Sequence, residues 1–343
     1  MRRDALSLLD KYAEFLLTFK EYYEKGKVKS DIVYQKNLLL SSLNQYIECV
    51  DFFKSYPDNL NGPEKVFVIL PGNVPVVIFQ IFPVFLLSNV KKVFIKQPSV
   101  EKSFYNEFVN MAKNFLGKFI EIHTRYMTHE ETFNEAKKYD FIVGYGGENL
   151  GALFKTLGKP SRFFGPKLSI GILWKEPSLE VLKKIAFDNL AFDTRGCLSL
   201  RYLFTPKKID EELISRAFNE VSLDLVPQSN FDYSFTEYEV LKASLEAEKV
   251  VRGESFFLLY SRKLLRISAP RVLNIVVVDG TEGLQEMLNE LKEIIQGVAT
   301  DNLEVNVVSV SYYCNFGELQ FPPCNWFFER GVTLENFWEV SNV

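Results

Sequence analysis

Histidine and cysteine, which bind most protein-held transition metals, are scarce in this 343-residue sequence, with two histidines and four cysteines. No two cysteines form a C-x-x-C pair, and both histidines are far in sequence from any cysteine. The spacing therefore favours neither a zinc site nor a Cys–His catalytic dyad. An excess of basic residues is also missing, because 40 basic and 44 acidic residues give a net charge of -4. This balance argues against a nucleic-acid-binding protein.

Long hydrophobic runs are missing as well. The longest apolar run, residues 74–87, contains Gln80 and two prolines and is too short to span a bilayer. Near the N-terminus, leucines are interrupted by acidic residues, which indicates an amphipathic helix and not a secretion signal. We therefore expect no membrane span, a cytoplasmic location and a chain that folds without covalent staples.

Aromatic residues, by contrast, are abundant, with 31 phenylalanines and 16 tyrosines. Two explanations are open. The rings can fill hydrophobic cores, or part of them can line a pocket for a long apolar ligand.

The hydrophobic pattern predicts two α/β lobes after an N-terminal group of helices in residues 1–57. A Pro/Gly/Asn connector is expected at residues 59–64. In the first lobe, strands are expected at residues 66–70, 93–96, 119–123 and 140–144. In the second lobe, strands are expected at residues 168–174, 201–206, 255–260, 273–279 and 304–310. Helices are expected there at residues 178–190, 209–223, 236–250 and 281–296, with a polar bend at 227–233. Alternation of this kind is typical of a parallel sheet that binds its ligand at the carboxyl ends of the strands.

Two turns at these strand ends carry polar side chains. Asn73 follows the first strand, where its amide can donate to a developing oxyanion or simply cap the next helix. Lys96 ends the second strand and can hold a ribose hydroxyl or a phosphate. Ser99 is expected to cap the helix after it, with Glu101 in the first turn.

A third turn, at residues 143–151, is rich in glycine. Gly144, Gly146 and Gly147 allow the backbone to approach a pyrophosphate closely. The spacing differs from the usual dinucleotide fingerprint, and a plain glycine turn is the alternative.

Cys197 stands at the head of a new segment, after a predicted helix and the residues Asp193, Thr194 and Arg195. Amides at the start of that segment and a nearby guanidinium are expected to lower the pKa of the thiol, which favours a nucleophile. The alternative is a small buried residue, the usual state of a free cysteine.

Taken in order, these motifs resemble the acyl-CoA reductases of the LuxC type, within the aldehyde dehydrogenase superfamily. The motifs that carry the resemblance are Gly72-Asn73-Val74-Pro75, Lys96 to Ser99, Gly144 to Gly147, the turn at residues 165–169, Phe192-Asp193, Gly196-Cys197 and the tail at residues 320–338.

The resemblance implies a mechanism and a cofactor. Cys197 would attack an acyl-CoA thioester, and NADPH or NADH would reduce the acyl-enzyme to an aldehyde. Asn73 and the backbone amide of Cys197 would form the oxyanion hole, while Lys96, Ser99 and the glycine turn would hold the nucleotide. Hydrolytic relatives carry a water-activating glutamate where this sequence has Phe163, so the resemblance points to thioester reduction.

The expected fold is that of an aldehyde dehydrogenase, with a parallel-sheet nucleotide-binding domain and a smaller α/β catalytic domain. We expect N-terminal helices and the NAD(P)-binding domain in residues 1–164. The catalytic domain is expected in residues 165–310, and a tail that packs back between the domains in 311–343. Three partners are compatible with the resemblance: the acyl thioester, an acyl-activating or acyltransferase protein, and a second copy of the chain. No glutamate clearly matches the second nicotinamide-ribose contact of the superfamily. A non-catalytic acyl- or nucleotide-binding subunit and a thioester-using acyltransferase therefore stay open.

Overall fold

A computed structural model describes residues 5–56, 60–88, 90–225, 233–303, 310, 312–327, 329 and 331–339. The chain divides into two compact units. The first unit is Met1–Pro166 with Pro323–Phe327 and Val332–Val343, and the second is Lys167–Pro322 with Phe328–Gly331. The C-terminal part of the chain therefore contributes to both units.

The first unit is built on a five-stranded parallel sheet in the order β3-β2-β1-β4-β5. Its strands are β1 (Lys65–Ile69), β2 (Lys92–Gln97), β3 (Glu121–Tyr126), β4 (Phe141–Tyr145) and β5 (Ser161–Phe164). The chain adds β2 and β3 on one side of β1 and then crosses to add β4 on the other side. The carboxyl ends of β1 and β4 thus form a topological switch point, where open α/β sheets bind ligands.

Six helices are described in the first unit, and two of them precede the sheet. They are α1 (Ala5–Glu24), α2 (Lys36–Lys54), α3 (Val77–Leu87), α4 (Ser103–Leu116), α5 (His129–Ala136) and α6 (Glu148–Lys155). On α1, buried residues recur at helical spacing, at Leu8, Tyr12, Phe15 and Phe19. This apolar stripe packs on α2, α3 and α4, which explains why the amphipathic pattern predicted from the sequence forms a helix.

The second unit contains a seven-stranded sheet in the order β12-β11-β6-β7-β10-β9-β8. The described strands are β6 (Leu168–Ile172), β7 (Leu200–Thr205), β8 (Lys249–Arg252), β9 (Phe257–Ser261), β10 (Val272–Val277), β11 (Ile295–Thr300) and β12 (Tyr312–Cys314). The described helices are α7 (Leu179–Leu190), α8 (Glu211–Leu225), α9 (Tyr233–Ser244) and α10 (Gly280–Leu291). Among these strands only β8 runs antiparallel to its neighbour, so the sheet is mixed.

The predicted α/β architecture is confirmed, and two predicted helices are too long. The helix expected at 236–250 ends at Ser244, and β8 follows it. The helix expected at 281–296 ends at Leu291, and Ile295–Thr300 is the fully buried strand β11. The predicted strand at 304–310, the bend at 227–233 and the start of the connector at 59–64 fall mostly or partly outside the described residues.

A disulfide joins Cys49 on α2 to Cys324, and both lie in the first unit. The expectation of a fold without covalent staples was therefore wrong, because a separation of 275 positions in the sequence gives no sign that the two cysteines pair. Within the described part of the chain, no helix is long and apolar enough to cross a membrane. The same residues include no cluster of three or more His, Cys, Asp and Glu side chains that could hold a metal ion.

Candidate active site

Cys197 lies in the loop between α7 and β7, and its side chain is partly exposed. Two side chains fix the backbone around it. Ser169 Oγ donates to the carbonyl of Cys197 at 2.9 Å, and Gln320 Nε2 donates to the carbonyl of Leu198 at 2.8 Å. Because a trans peptide directs its carbonyl and its N–H to opposite sides, the bond from Ser169 turns the amide of Leu198 toward the thiol.

Burial raises the pKa of the Cys197 thiol to about 11, while hydrogen bonds from the amides of Cys197 and Leu198 lower it. The expectation of a lowered pKa was wrong, because desolvation of the thiol outweighs the hydrogen bonds from the two amides. The amides remain directed at the sulfur, where they can stabilise negative charge that develops on it or on an atom bonded to it.

The loop before Cys197 has an unusual backbone. Phe192, Asp193 and Thr194 have φ angles of 51°, 55° and 59°, and none of them is glycine. The left-handed region costs an L-residue roughly 1–2 kcal/mol, and a β-branched threonine is especially rare there. This turn was not predictable from the sequence, since its residue types favour an ordinary right-handed helix end.

Side chains of the second unit hold the strained turn in place. Thr194 Oγ1 donates to Asn189 O at 2.7 Å and accepts from the amide of Arg271 at 3.0 Å. Arg201 Nη2 donates to the carbonyl of Thr194 at 2.6 Å. Asn189 is fully buried and donates to the carbonyls of Leu200 and Val272 at 2.7 and 3.1 Å. The loop is therefore tied to the starts of both β7 and β10.

In the first unit, the sheet places Asn73, Lys96 and Ser99 at one edge, where Asn73 and Ser99 follow the carboxyl ends of β1 and β2 and Lys96 is the penultimate residue of β2. The structure removes two of the capping roles considered from the sequence. Helix α3 has Val76 at its N-cap and α4 has Lys102, so neither Asn73 nor Ser99 caps a helix. Both side chains are exposed at the sheet edge, and Lys96 is half-buried.

Two carboxylates, of Asp31 and Glu101, cap the N-terminus of α4, and the expectation that Glu101 lies in the first turn was wrong, because α4 begins at Ser103. Asp31, in the linker between α1 and α2, accepts from the amides of Lys102 and Ser103 at 2.6 and 2.9 Å. Glu101 is fully buried and accepts from the amides of Asp31, Ile32 and Phe104 and from the hydroxyl of Ser30. These four donors use the acceptor capacity of the carboxylate, so Glu101 is not available to a ligand at the sheet edge.

The glycine turn after β4 contains glycines of different kinds. A Cβ on Gly144 would lie 2.3 Å from the ring of Phe163, so this glycine is required for packing. A Cβ on Gly146 would lie 2.9 Å from Leu150 Cδ2, at the far end of a flexible side chain. Next to Gly147, at the start of α6, there is open space, with nothing within 4 Å. Only this last position leaves the backbone open to a bound group.

Known protein families provide the assignment of the chain. A family model described as acyl-CoA reductase (LuxC) matches residues 29–309. The chain belongs to the LuxC family of acyl-CoA reductases. It is therefore an oxidoreductase that acts on acyl or aldehyde groups, and the reaction of its family is the reduction of acyl-CoA to aldehyde. No curated protein matches the chain in sequence.

Solved structures of aldehyde dehydrogenases share the fold. A methylmalonate-semialdehyde dehydrogenase from Oceanimonas doudoroffii has 12% identity and a TM-score of 0.74, and the match covers 97% of this chain and 82% of the dehydrogenase. A succinic semialdehyde dehydrogenase from Streptococcus pyogenes, solved with NADP+, has 14% identity and a TM-score of 0.72, with 92% and 82% covered. A lactaldehyde dehydrogenase from Escherichia coli has 15% identity and a TM-score of 0.68, with 95% and 80% covered. The predicted resemblance and fold are thus confirmed.

In this LuxC-family chain, Phe163 lies within an apolar cluster of the first unit and not in a polar site. Its ring stands over Gly144 and is 5.6 Å from the ring of Phe154, between centroids. Other buried rings of this unit, on α1, α3 and α4, also pack on one another, such as Phe15 on Phe108 at 5.0 Å. For these residues the abundance of aromatics reflects core packing.

Proposed function

We propose that the protein reduces acyl-CoA thioesters to aldehydes through an acyl-enzyme on Cys197, with NADPH or NADH as the reductant. The match to the LuxC family over residues 29–309 carries this proposal. The choice of Cys197 is supported by the states of the four cysteines. Cys49 and Cys324 are paired, Cys314 is buried, and Cys197 is the partly exposed thiol of the set.

In the first step, the sulfur of Cys197 attacks the thioester carbonyl and forms a new carbon–sulfur bond. The bond from the carbonyl carbon to the sulfur of coenzyme A then breaks. The departing thiolate takes up the proton that Cys197 loses, so the exchange of one thioester for another needs no net acid or base. The raised pKa of Cys197 is compatible with this exchange, because the proton has a destination in the leaving group.

The amides near the sulfur support the tetrahedral intermediate of this step. The amide of Cys197, and Asn73 as the second donor, would hold the oxyanion, by the resemblance to the superfamily. The exposed carboxamide of Asn73 is not used as a helix cap. Loss of one oxyanion donor typically costs about 2.7–4 kcal/mol of transition-state stabilisation.

In the second step, a hydride reaches the acyl carbon and a proton reaches its oxygen, which gives a thiohemiacetal on Cys197. Collapse of the thiohemiacetal releases the aldehyde and restores the thiol. The bound nicotinamide supplies the hydride. Phe163, which stands where hydrolytic relatives carry a water-activating glutamate, packs against an apolar cluster. Because a phenyl ring cannot act as a base, water is not activated there, and the acyl-enzyme is protected from hydrolysis until the hydride arrives.

The carboxyl edge of the first sheet fits a dinucleotide. The open backbone at Gly147 stands at the start of α6, beside the switch point of the sheet, where a pyrophosphate would be held. Lys96 and Lys102 lie 5.8 and 4.4 Å from the centre of the Tyr126 ring. These residues would hold the nucleotide, together with Ser99.

The charges at this edge favour NADPH over NADH. A carboxylate after the second strand usually binds the ribose 2′-hydroxyl of NADH, whereas cations accept the 2′-phosphate of NADPH. Here the two nearby acids, Glu101 and Asp31, both accept hydrogen bonds from amides at the N-terminus of α4, while Lys96 and Lys102 remain at the edge. No carboxylate of the described residues forms an ion pair with either lysine.

Mass spectrometry tests the proposal directly. Incubation with an acyl-CoA and without cofactor should add one acyl group to Cys197, and addition of NADPH should release the aldehyde. Cys197→Ser should abolish both signals, whereas the matched variant Cys314→Ser should retain them. Absence of an adduct on Cys197, with nucleotide binding intact, would contradict the proposal and favour a non-catalytic binding subunit.

A further inference from the structure

A pair of buried opposite charges secures the left-handed turn that leads to Cys197. Arg271 Nε donates to Asp193 Oδ1 at 2.8 Å, and Arg271 Nη2 lies 2.7 Å from the same oxygen. The side chain of Arg271 is 2% exposed and that of Asp193 is 14% exposed. Arg271 itself has a φ of 55°, so both partners of the pair are on left-handed backbone.

The pair joins two elements of the second sheet. Asp193 belongs to the turn between α7 and β7, and Arg271 directly precedes β10, the strand that pairs with β7. The amide of Arg271 also donates to Thr194 Oγ1. Arg271 therefore binds the turn through both its backbone and its side chain. Cys197 is four positions after Asp193. Because this connection is short, a change in the position of the turn also moves the thiol.

Stability alone does not explain such a pair. Burying two charges carries a desolvation cost that their attraction often fails to repay, and apolar replacements of buried ion pairs are frequently as stable. The conformation that the pair secures is itself strained. A charged pair that enforces a costly turn directly before a nucleophile is better explained by what it does for the geometry of that nucleophile.

We propose that Asp193 and Arg271 are positioning residues for Cys197. The pair holds the turn Phe192–Thr194 left-handed, so that the loop of Cys197 presents the sulfur together with the amides of Cys197 and Leu198. This inference rests on the proposed nucleophilic role of Cys197 and assigns the device that orients it.

Removal of the carboxylate tests the pair. In Asp193→Asn, kcat for thioester reduction should fall by about 100-fold, the size expected for a misplacement of about 1 Å at a reacting group. The KM for NADPH should stay unchanged, because the nucleotide residues belong to the first unit. Alkylation of Cys197 by iodoacetamide, which needs neither cofactor nor acyl-CoA, should become faster, because a displaced loop exposes a thiol whose pKa is raised by burial.

A double variant separates positioning from stability. Asp193→Asn with Arg271→Met leaves no unpaired charge, so its free energy of unfolding should return toward the wild-type value. Its kcat should nevertheless stay low and its alkylation rate should stay above that of the wild type, because nothing holds the turn. Leu288→Ala, which truncates a buried core residue on α10 of the same unit, is the control and should lose stability without a fall in kcat.

Recovery of kcat together with stability in the double variant would overturn the inference. If the single variants fail to fold, the double variant alone decides, and an alkylation rate in it equal to that of the wild type would also overturn the inference. If wild-type Cys197 takes no acyl group from acyl-CoA, the proposed function fails. The alkylation rates still decide whether the pair positions the thiol.

Discussion

At the residue scale, Cys197 shows how burial changes a thiol that sequence alone predicts to be acidic. Its local sequence, with Arg195 and a new segment close by, fits an activated cysteine. The structure places it before a strand, where desolvation raises its pKa to about 11. Sequence can locate such a nucleophile through its neighbours, but the degree of desolvation depends on how the folded chain encloses the loop, whose backbone is held by residues distant in sequence, such as Ser169 and Gln320.

The reactivity of Cys197 should therefore rise steadily with pH. The thiolate is the reactive form, so below the pKa of about 11 the alkylation rate should increase about tenfold per pH unit. Rates of iodoacetamide labelling between pH 7 and about 9.5, measured in Cys314→Ser to remove the other free thiol, check this. A plateau below pH 9 would show that the thiol is more acidic than the structure indicates.

Asp188 makes a second pH-dependent contribution. Burial raises its pKa to about 8, although the amides of Gly317 and Leu319 donate to its carboxylate and lower it. In the unfolded chain an aspartate titrates near pH ~3.9, so between about pH 4 and 8 the folded state binds the extra proton. Stability from this residue is present at low pH and is lost as the pH rises through that window.

Asp188→Asn should remove this part of the pH dependence. Urea unfolding at several pH values between about 4.5 and 8.5 should show a free energy that declines with pH in the wild type and declines less in the variant. Curves of equal slope for the two proteins would contradict the assignment.

At the element scale, the turn after β4 separates a packing glycine from an open one. Gly144→Ala should destabilise the first unit by about 1–3 kcal/mol, because its Cβ would overlap the Phe163 ring. Gly147→Ala has room and should unfold like the wild type, yet it should raise the KM for NADPH, since a methyl group would block the approach of a pyrophosphate.

Thermal unfolding and cofactor titration of the two variants measure this contrast. Gly144→Ala with Phe163→Leu should recover part of the lost stability, because the smaller side chain leaves room for the new methyl group. An unchanged KM in Gly147→Ala would remove this turn from the proposed nucleotide site.

The elements themselves were largely predictable. Strands β1 to β4 and the helix α7 followed from hydrophobic periodicity and capping, and Ser178 caps α7 as a start signal should. The failures have physical reasons. β11 and β8 each follow a helix after a short connection that contains no proline, so hydrophobic periodicity extended the predicted helices into these strands. Only strand pairing, of β11 with the distant β6 and of β8 with the neighbouring β9, shows where the helices end.

At the scale of the whole molecule, the disulfide between Cys49 and Cys324 is a long-range link that the sequence concealed. Cys49→Ser should lower the free energy of unfolding by about 2–5 kcal/mol under oxidising conditions, because the bond closes a large loop of the unfolded chain. With a reductant present, variant and wild type should unfold alike. Equal stability of the two proteins without reductant would show that the bond does not form in solution.

The C-terminal segment gives the first unit an unusual order of assembly during translation. Arg162 on β5 is buried and donates to the carbonyls of Asn336, Phe337 and Glu339. Those carbonyls are made more than 170 residues later, which at about 5–20 residues per second is a delay of roughly ten seconds or more. Until then the guanidinium of Arg162 must stay hydrated. The ribosome therefore completes the second unit before the first one can close, the reverse of the usual N-terminal-first order.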